Sequence, residues 1–282
     1  MTSPSLRLGV VGSANVDIVV RCAVLPRPGE TILASDPSRF PGGKAANQAA
    51  ALAALGIDTT LIARVGADEA GDWLVGNLHQ RGVDTSMIQR TDVATGTAFI
   101  TVDEAGENII VVARGANASL AVNNVDLDTF DVVLAQMEVD AAVVDAVAQR
   151  AARLILNVAP ARLVPAETLA RCAVVIANEH EAELLTLADL AHCVVTLGAQ
   201  GAVHYAFGIE VARATPPAVR VVDTVGAGDV FCAAYAAQYA GGASPLEALT
   251  FAVTAGALAT QALGAQGALP STEEVLACLP PA

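Results

Sequence analysis

Short apolar runs rich in β-branched residues alternate with longer alanine-rich runs along most of this 282-residue chain. Leu6–Val11, Thr59–Ala63, Val132–Ala135, Leu154–Val158, Ala173–Ile176 and Cys193–Leu197 are continuous apolar runs, which predicts strands buried on both faces. Lys44–Leu55, Glu69–Arg81, Ala141–Arg150, Val230–Tyr239, Pro245–Leu263 and Thr272–Leu279 carry the longer spacing and predict helices. Doubly buried strands alternating with helices predict a mostly parallel sheet with right-handed crossovers. The expected fold is α/β, a Rossmann-like three-layer α/β/α arrangement. In such folds ligands gather at the carboxyl ends of the strands.

Two segments break the rhythm. Ile18–Arg21 and Thr31–Ala34 flank a Pro26-Arg27-Pro28-Gly29 turn, and Thr97–Val102 and Asn108–Ala113 flank a polar stretch centred on Gly106. Both read as β-hairpins without helices. They predict a small antiparallel sheet covering the site of a single domain over residues 1–282, a lid formed by about 18–40 and 96–114. Its exposed edges and outer face favour pairing with a second copy, hence a homodimer.

Composition narrows the function classes. A hydrophobic content of 54% fills a large core, yet charges or Pro and Gly interrupt every apolar stretch before it reaches membrane-span length. The N-terminal stretch lacks a charged head followed by a long apolar run and reads as a tail entering a strand. Five scattered cysteines without CxxC spacing suggest neither a disulfide framework nor a zinc site, and fit a reducing cytoplasm. A net charge of −14 argues against nucleic acid and anionic membranes as partners. Any phosphate must then be held by local backbone dipoles and metal ions. Lys44 is the only lysine and sits in a glycine-rich segment. This is either a functional placement or the residue of a composition that otherwise uses Arg.

Asp223-Thr224-Val225-Gly226-Ala227-Gly228-Asp229, followed directly by an apolar helical run, is the strongest chemical signal. Two glycines let the backbone turn tightly, and the helix start adds unpaired N–H donors with a partial positive charge. A carboxylate beside such an anion hole is unfavourable unless it abstracts a proton, as phosphoryl transfer to a hydroxyl requires. The segment alone equally allows an Asp that caps its helix. A dinucleotide fingerprint fits poorly, because Phe231 occupies the third glycine position. Other polar residues fall just after the predicted strands: Asn15 and Asp17, Glu138, Asn178 and Gly198.

Eleven short motifs in order give the chain a close resemblance to the ribokinase-like (PfkB) sugar kinases. They run from Gly12-Ser13-Ala14-Asn15-Val16-Asp17 through Pro28-Gly29-Glu30-Thr31, Gly42-Gly43-Lys44-Ala45-Ala46-Asn47-Gln48-Ala49, Thr95-Gly96-Thr97-Ala98 and Gly106-Glu107-Asn108. Gly115-Ala116-Asn117, Gln136-Met137-Glu138, Asn157-Val158-Ala159-Pro160, Asn178-Glu179-His180-Glu181, Thr196-Leu197-Gly198 and Asp223 through Asp229 complete the set. The resemblance implies transfer of the γ-phosphate of ATP to a primary sugar hydroxyl, foremost the 5-hydroxyl of ribose. Acceptors such as deoxyribose, a nucleoside or a ketohexose are the alternative, and a non-catalytic sugar or nucleotide sensor is the alternative of another class.

By the same resemblance Asp229 is the catalytic base, and Gly226, Ala227 and Gly228 form the anion hole. Asn15, Asp17, Gly42, Gly43, Lys44, Asn47 and Glu138 hold the sugar. Asn178, Thr196, Leu197, Gly198 and Gly201 face the nucleotide. Asn178 and Glu181 are implied to serve a magnesium ion, although the same Asn-x-x-Glu spacing reads as a helix cap with a capping-box glutamate. Asp223 with the carbonyls of Val225, Ala259, Ala262 and Gly264 is the implied potassium loop. The chain departs from the family in three places. Ala268 replaces a frequent serine hydroxyl, Val253 stands where a His or Asn commonly approaches the nucleotide, and the connection 186–193 is short. The four histidines show no metal spacing.

Overall fold

The computed structural model describes residues 6–279. Its first strands are β1 (Arg7–Val11), β2 (Asn15–Arg21) and β3 (Ser38–Gly42), leading into helix α1 (Lys44–Ala54). Then come β4 (Asp58–Ile62), β5 (Arg64–Gly66), α2 (Glu69–Gln80), β6 (Gln89–Thr91), β7 (Gly96–Val102) and β8 (Asn108–Ala113). The second half runs through β9 (Val132–Gln136), α3 (Ala141–Arg150), β10 (Leu154–Asn157), α4 (Ala166–Leu169), β11 (Cys172–Asn178), α5 (Glu179–Ala182) and β12 (Cys193–Thr196). It ends with β13 (Ala202–Ala206), β14 (Ile209–Ala214), α6 (Ala227–Ala240), α7 (Pro245–Ala259) and α8 (Thr272–Ala277).

Eight strands form the central sheet in the order β14-β13-β12-β11-β10-β9-β1-β4. It is parallel from β12 to β4, and β13 and β14 are antiparallel additions. Successive side chains serve opposite faces, as the pleat dictates. Leu8, Val10, Leu134, Ile155 and Val194 join one buried cluster with α1, α6 and α7. Val11, Val133, Ala135, Leu156 and Val195 join a second with α3. Two helical layers therefore cover the two faces, and the expected three-layer α/β/α fold is present. Truncating one of these fully buried leucines to Ala costs about 2–5 kcal/mol.

From β1 the chain crosses to β4 on one side and later to β9 on the other. The reversal opens a crevice past the ends of β1 and β9, the usual ligand position in open α/β sheets. Seven of the eleven residues of helix α1, which enters that crevice, are alanine, so it packs close to the sheet and to α6, with Ala45 through Leu52 buried.

The second sheet has four strands in the order β3-β2-β7-β8. Two expectations are corrected here. Thr31–Ala34 is not a strand: Leu33 is 95% exposed, so the run has nothing to bury against. The partner of β2 is β3, which the sequence conceals because it contains Pro41 and Gly42. An edge strand tolerates a proline that lacks the ladder N–H. Nor is the sheet purely antiparallel, since β2 and β7 pair in parallel from Asn15–Gly96 to Arg21–Val102. The two predicted hairpins thus meet along their first strands. The registers put Phe40, Asp17, Ala98 and Val112 in one row across all four strands.

The hairpin β13–β14, also unforeseen, turns at Phe207 and Gly208, both with positive φ (49° and 77°). This is the two-residue turn whose twist suits antiparallel strands. The β13 strand is anchored on α6 by side chains: His204 Nδ1 lies 3.1 Å from Tyr235 Oη, and His204 Nε2 lies 3.0 Å from His192 Nδ1. Burial, with His192 adding to it, pushes the His204 imidazole down to about 4. Helix α7 ends at Ala259, four residues short of the expected Leu263, where a glycine-containing loop begins.

Candidate active site

Ser13 and Asn15 follow β1, Glu138 follows β9, Asn157 ends β10, Asn178 ends β11 and Thr196 ends β12. All lie at the carboxyl edge of the parallel strands. Glu138 closes the β1/β9 crevice: its Oε2 accepts from Ser13 Oγ at 2.5 Å and from the Lys44 N–H at 3.1 Å. The N-cap of α1 is Gly43, with φ 88° and no capping side chain, and a Cβ there would strike the Asn15 backbone at 2.8 Å. Only glycine lets α1 start this close to the strand.

A cavity of about 380 Å³ lies above Glu138, lined by Asn15, Asn117, Val112, Arg114 and Arg162. Asn15 Oδ1 is held by Asn117 Nδ2 at 2.7 Å, which orients the Asn15 amide. Asn117 was legible only as part of a quoted motif, without a role. Asp17 hangs from the row of the second sheet that faces this crevice, beside Gly42. Burial, then the charges of Glu138 and Asp229, push its carboxyl up to about 7.

The N-cap of helix α6 is Gly226, in the left-handed region at φ 81°. A Cβ on Gly226 would stand 2.5 Å from the Ala265 backbone, so the turn is possible only with glycine. Having no side chain, the cap leaves the first-turn N–H groups open to a ligand. A cavity of about 560 Å³ opens in front of Ala227 and Gly228, and Thr196, Gly198, Gly201 and Val253 line other parts of it. That size suits a nucleotide. Leu197 is not part of this lining; its N–H closes the turn on Gly201 O at 2.7 Å.

Asp229 sits in the first turn of α6 and is 7% exposed. Asn47 Nδ2 donates to its Oδ2 at 2.9 Å and Gln48 Nε2 to its Oδ1 at 3.1 Å. Each oxygen keeps a second acceptor position. Burial raises the Asp229 carboxyl above the usual range, against the lowering influence of Lys44 and the Asn47 amide. For Lys44 burial works against the charge, but Asp229 and Glu138 outweigh it and the ammonium titrates higher than usual. The sole lysine thus stands among Asp229, Glu138 and Glu181, at one focus of acidic charge. Gln48 and Gln266 are functional candidates that sequence reasoning missed. For Gln48 the signal was present: a polar pair inside an otherwise alanine-rich buried helix.

Asn178 and Glu181 form a capping box, with Asn178 Oδ1 accepting the Glu181 N–H at 2.8 Å and Glu181 Oε2 the Asn178 N–H at 2.9 Å. The capping reading is therefore realised. The Asn178 amide oxygen is engaged with its own helix, and one oxygen of the buried Glu181 remains beyond the cap. Asp223 staples two loops: Oδ1 accepts from the Val225 N–H at 3.0 Å and Oδ2 from the Gly264 N–H at 2.8 Å. Ala259 ends α7, and Ala262 and Gly264 follow along the second of these loops. Among the described residues no three His, Cys, Asp or Glu side chains gather as a metal cluster.

The model of the pfkB family carbohydrate kinases matches residues 6–272. Among curated proteins, a ribokinase of Bacillus subtilis is 38% identical over 285 residues, covering 94% of this chain and 97% of that protein. A ribokinase of Staphylococcus aureus is 33% identical, covering 94% and 97%. Among solved structures, a ribokinase of Thermotoga maritima superposes with a TM-score of 0.89 at 33% identity, covering 96% of this chain and 98% of that one. A ribokinase of Arabidopsis thaliana complexed with ribose and ATP gives a TM-score of 0.89 at 30% identity, covering 99% and 100%.

Proposed function

Because this chain belongs to the pfkB family of carbohydrate kinases, we propose that it phosphorylates the 5-hydroxyl of D-ribose with ATP, giving ribose 5-phosphate. The observation that carries the reading is the convergence of an uncapped glycine helix start, a buried carboxylate in that same first turn, and a cavity lined by Asn15 and Glu138. Ribokinases 38% and 33% identical over nearly their whole length support the acceptor.

In this reading Asn15, Asp17, Asn47 and Glu138 anchor the sugar hydroxyls, with Gly42 and Gly43 giving close approach. A carboxylate can accept from two adjacent hydroxyls at once. Asp229 takes the proton of the 5-hydroxyl as the oxygen attacks in line. The N–H groups of Gly226, Ala227 and Gly228 receive the charge developing on the transferred phosphoryl, and Lys44 offsets the local excess of carboxylates. Thr196, Leu197, Gly198 and Gly201 form the nucleotide side, with Asn178 at the phosphate end.

The donor sets fit two ions. Glu181 offers a free carboxylate oxygen near the phosphate end, enough for a magnesium ion that keeps its waters and neutralises the ATP phosphates. Asp223 and the carbonyls of Val225, Ala259, Ala262 and Gly264 suit a monovalent cation such as potassium, which would order the loop behind Gly226. We read the second sheet as a lid within one domain spanning the chain. On its edge strand Ile109 and Val111 are exposed, 46% and 61%, beside an exposed Phe99, which suits pairing with a second copy. The five free cysteines and the need for ATP fit the cytoplasm.

An acceptor panel tests the assignment. ADP release should be fastest with ribose, ahead of deoxyribose, adenosine and fructose. A faster rate on one of the others would replace the acceptor, and no turnover with any of them would favour a sensor.

A further inference from the structure

Two glutamines outside every role assigned so far converge on Asp229. From the sheet, Gln136 Nε2 donates to Gln48 Oε1 at 2.5 Å, and Gln48 Nε2 donates to Asp229 Oδ1 at 3.1 Å. From the loop after α7, Gln266 Nε2 donates to Asn47 Oδ1 at 3.0 Å, and Asn47 Nδ2 donates to Asp229 Oδ2 at 2.9 Å. Both chains lead toward the carboxylate, although Gln48 Nε2 also reaches Asn157 Oδ1 in a longer contact of 3.5 Å. Gln48, Asn47 and Gln266 are 0%, 6% and 4% exposed, so none is a surface amide that bonds whatever lies near.

We propose that Gln48 and Gln266 are positioning residues for Asp229, fixing where its carboxylate points and favouring its charged form. The proposal rests on the reading of Asp229 as the base. An apolar side chain would fill position 48 in this alanine-rich helix without needing partners. A buried glutamine must instead be satisfied, and the shorter of this one's two donor contacts is to the carboxylate, the longer to Asn157 Oδ1. Its own oxygen is held by Gln136, so the amide cannot rotate its NH2 group away without losing that bond. Gln266 sits two residues after Gly264, whose N–H is bound by Asp223. The loop that would respond to a monovalent cation is thereby one amide removed from the base. The charged and titratable groups facing Asp229 are Lys44 from α1, Glu138 from beyond β9, Asp17 from the second sheet and Cys232 from its own helix. None of them belongs to either amide chain, so removing a donor changes the hydrogen bonding and leaves the charges in place.

The test reads the Asp229 carboxyl directly by carbon NMR titration in the full-length protein, beside kcat and KM on ribose across pH. A donor withdrawn from a carboxylate raises its pKa, by about one unit for a bond of this kind. Gln48→Leu should raise the Asp229 midpoint by about that much. It should also move the acidic limb of kcat upward equally, leaving the ribose KM within about twofold. An unmoved Asp229 midpoint in a folded Gln48→Leu protein overturns the proposal. A midpoint that moves while the acidic limb stays fixed keeps the amide hold but removes Asp229 as the base. If Gln48→Leu does not fold, Gln266→Leu on the loop carries the same reading, with a smaller shift in the same direction expected and no shift overturning the proposal.

Discussion

The carboxylate of Asp17 lies against the Cα of Gly42 so closely that a Cβ on residue 42 would stand 2.2 Å from either oxygen. Gly42→Ala therefore has to turn Asp17 out of its place. The obstacle is the end of a side chain, so the fold tolerates the change while the acceptor site does not. Calorimetry should find ribose affinity reduced about tenfold or more, the loss of about one charge-assisted hydrogen bond. The melting temperature should stay within a few degrees, by the usual scale for small stability changes.

Asp17 also makes stability depend on pH. Its folded pKa of about 7 stands above the ordinary carboxyl value of 3.8. The group's favourable contribution is thus complete below about pH 4 and is lost as pH rises through about 7. Asp17→Asn removes that loss. Denaturant titrations should show the variant gaining on wild type between pH 4 and pH 8, by on the order of 3 kcal/mol. A constant difference across that window would contradict the raised pKa.

Asp229→Asn keeps the size of the side chain and removes the proton acceptor. The expected loss in kcat is roughly 10²- to 10⁴-fold, with ribose still bound. ADP release in single-turnover and steady-state assays checks it, and unchanged kcat would remove the base.

Gly226 and Gly228 separate strain from catalysis in one loop. Gly226→Ala meets the Ala265 backbone and forces a left-handed alanine, which alone costs about 1–2 kcal/mol. Scanning calorimetry should register the lower melting temperature together with lost activity. A Cβ on Gly228 meets nothing within 4 Å, so Gly228→Ala should keep the wild-type melting temperature. Any fall in its kcat then reports on the phosphate cradle alone.

Val111 and Phe99 are register partners on the outer face of the second sheet. If that face pairs with a second copy, Val111→Glu buries a charge at the interface. Sedimentation should then show the dimer dissociating to monomer at protein concentrations where wild type remains paired. An unchanged dimer would move the interface elsewhere.

The central sheet was legible because its strands bury both faces and so appear as unbroken apolar runs. Val132–Ala135 and Cys193–Leu197 fall within one residue of β9 and β12. What escaped has other physics. The β3 strand carries Pro41, which only an edge position accommodates. Hairpin β13–β14 turns at Phe207 and Gly208, and Phe207 is not a residue that favours positive φ, so the pair lacks the Asn-Gly or Asp-Gly signature. For the site, strand-end placement and the glycine loop carried Asp229, Asn15 and Glu138 together. Gln266 left no trace, because its meaning lies in a contact with Asn47 from the far end of the chain. Asn178 and Glu181 illustrate a pattern with two meanings, and only the coordinates show the cap in place.

The solitary Lys44 makes the protein its own reporter. Acylating or reductively alkylating reagents find one side-chain amine, lodged among carboxylates that keep it protonated and slow to react. Peptide-resolved mass spectrometry of a treated sample would therefore read out occupancy of the crevice at that one side chain, set apart from the faster adduct on the α-amine, without a tag, a dye or a coupled enzyme.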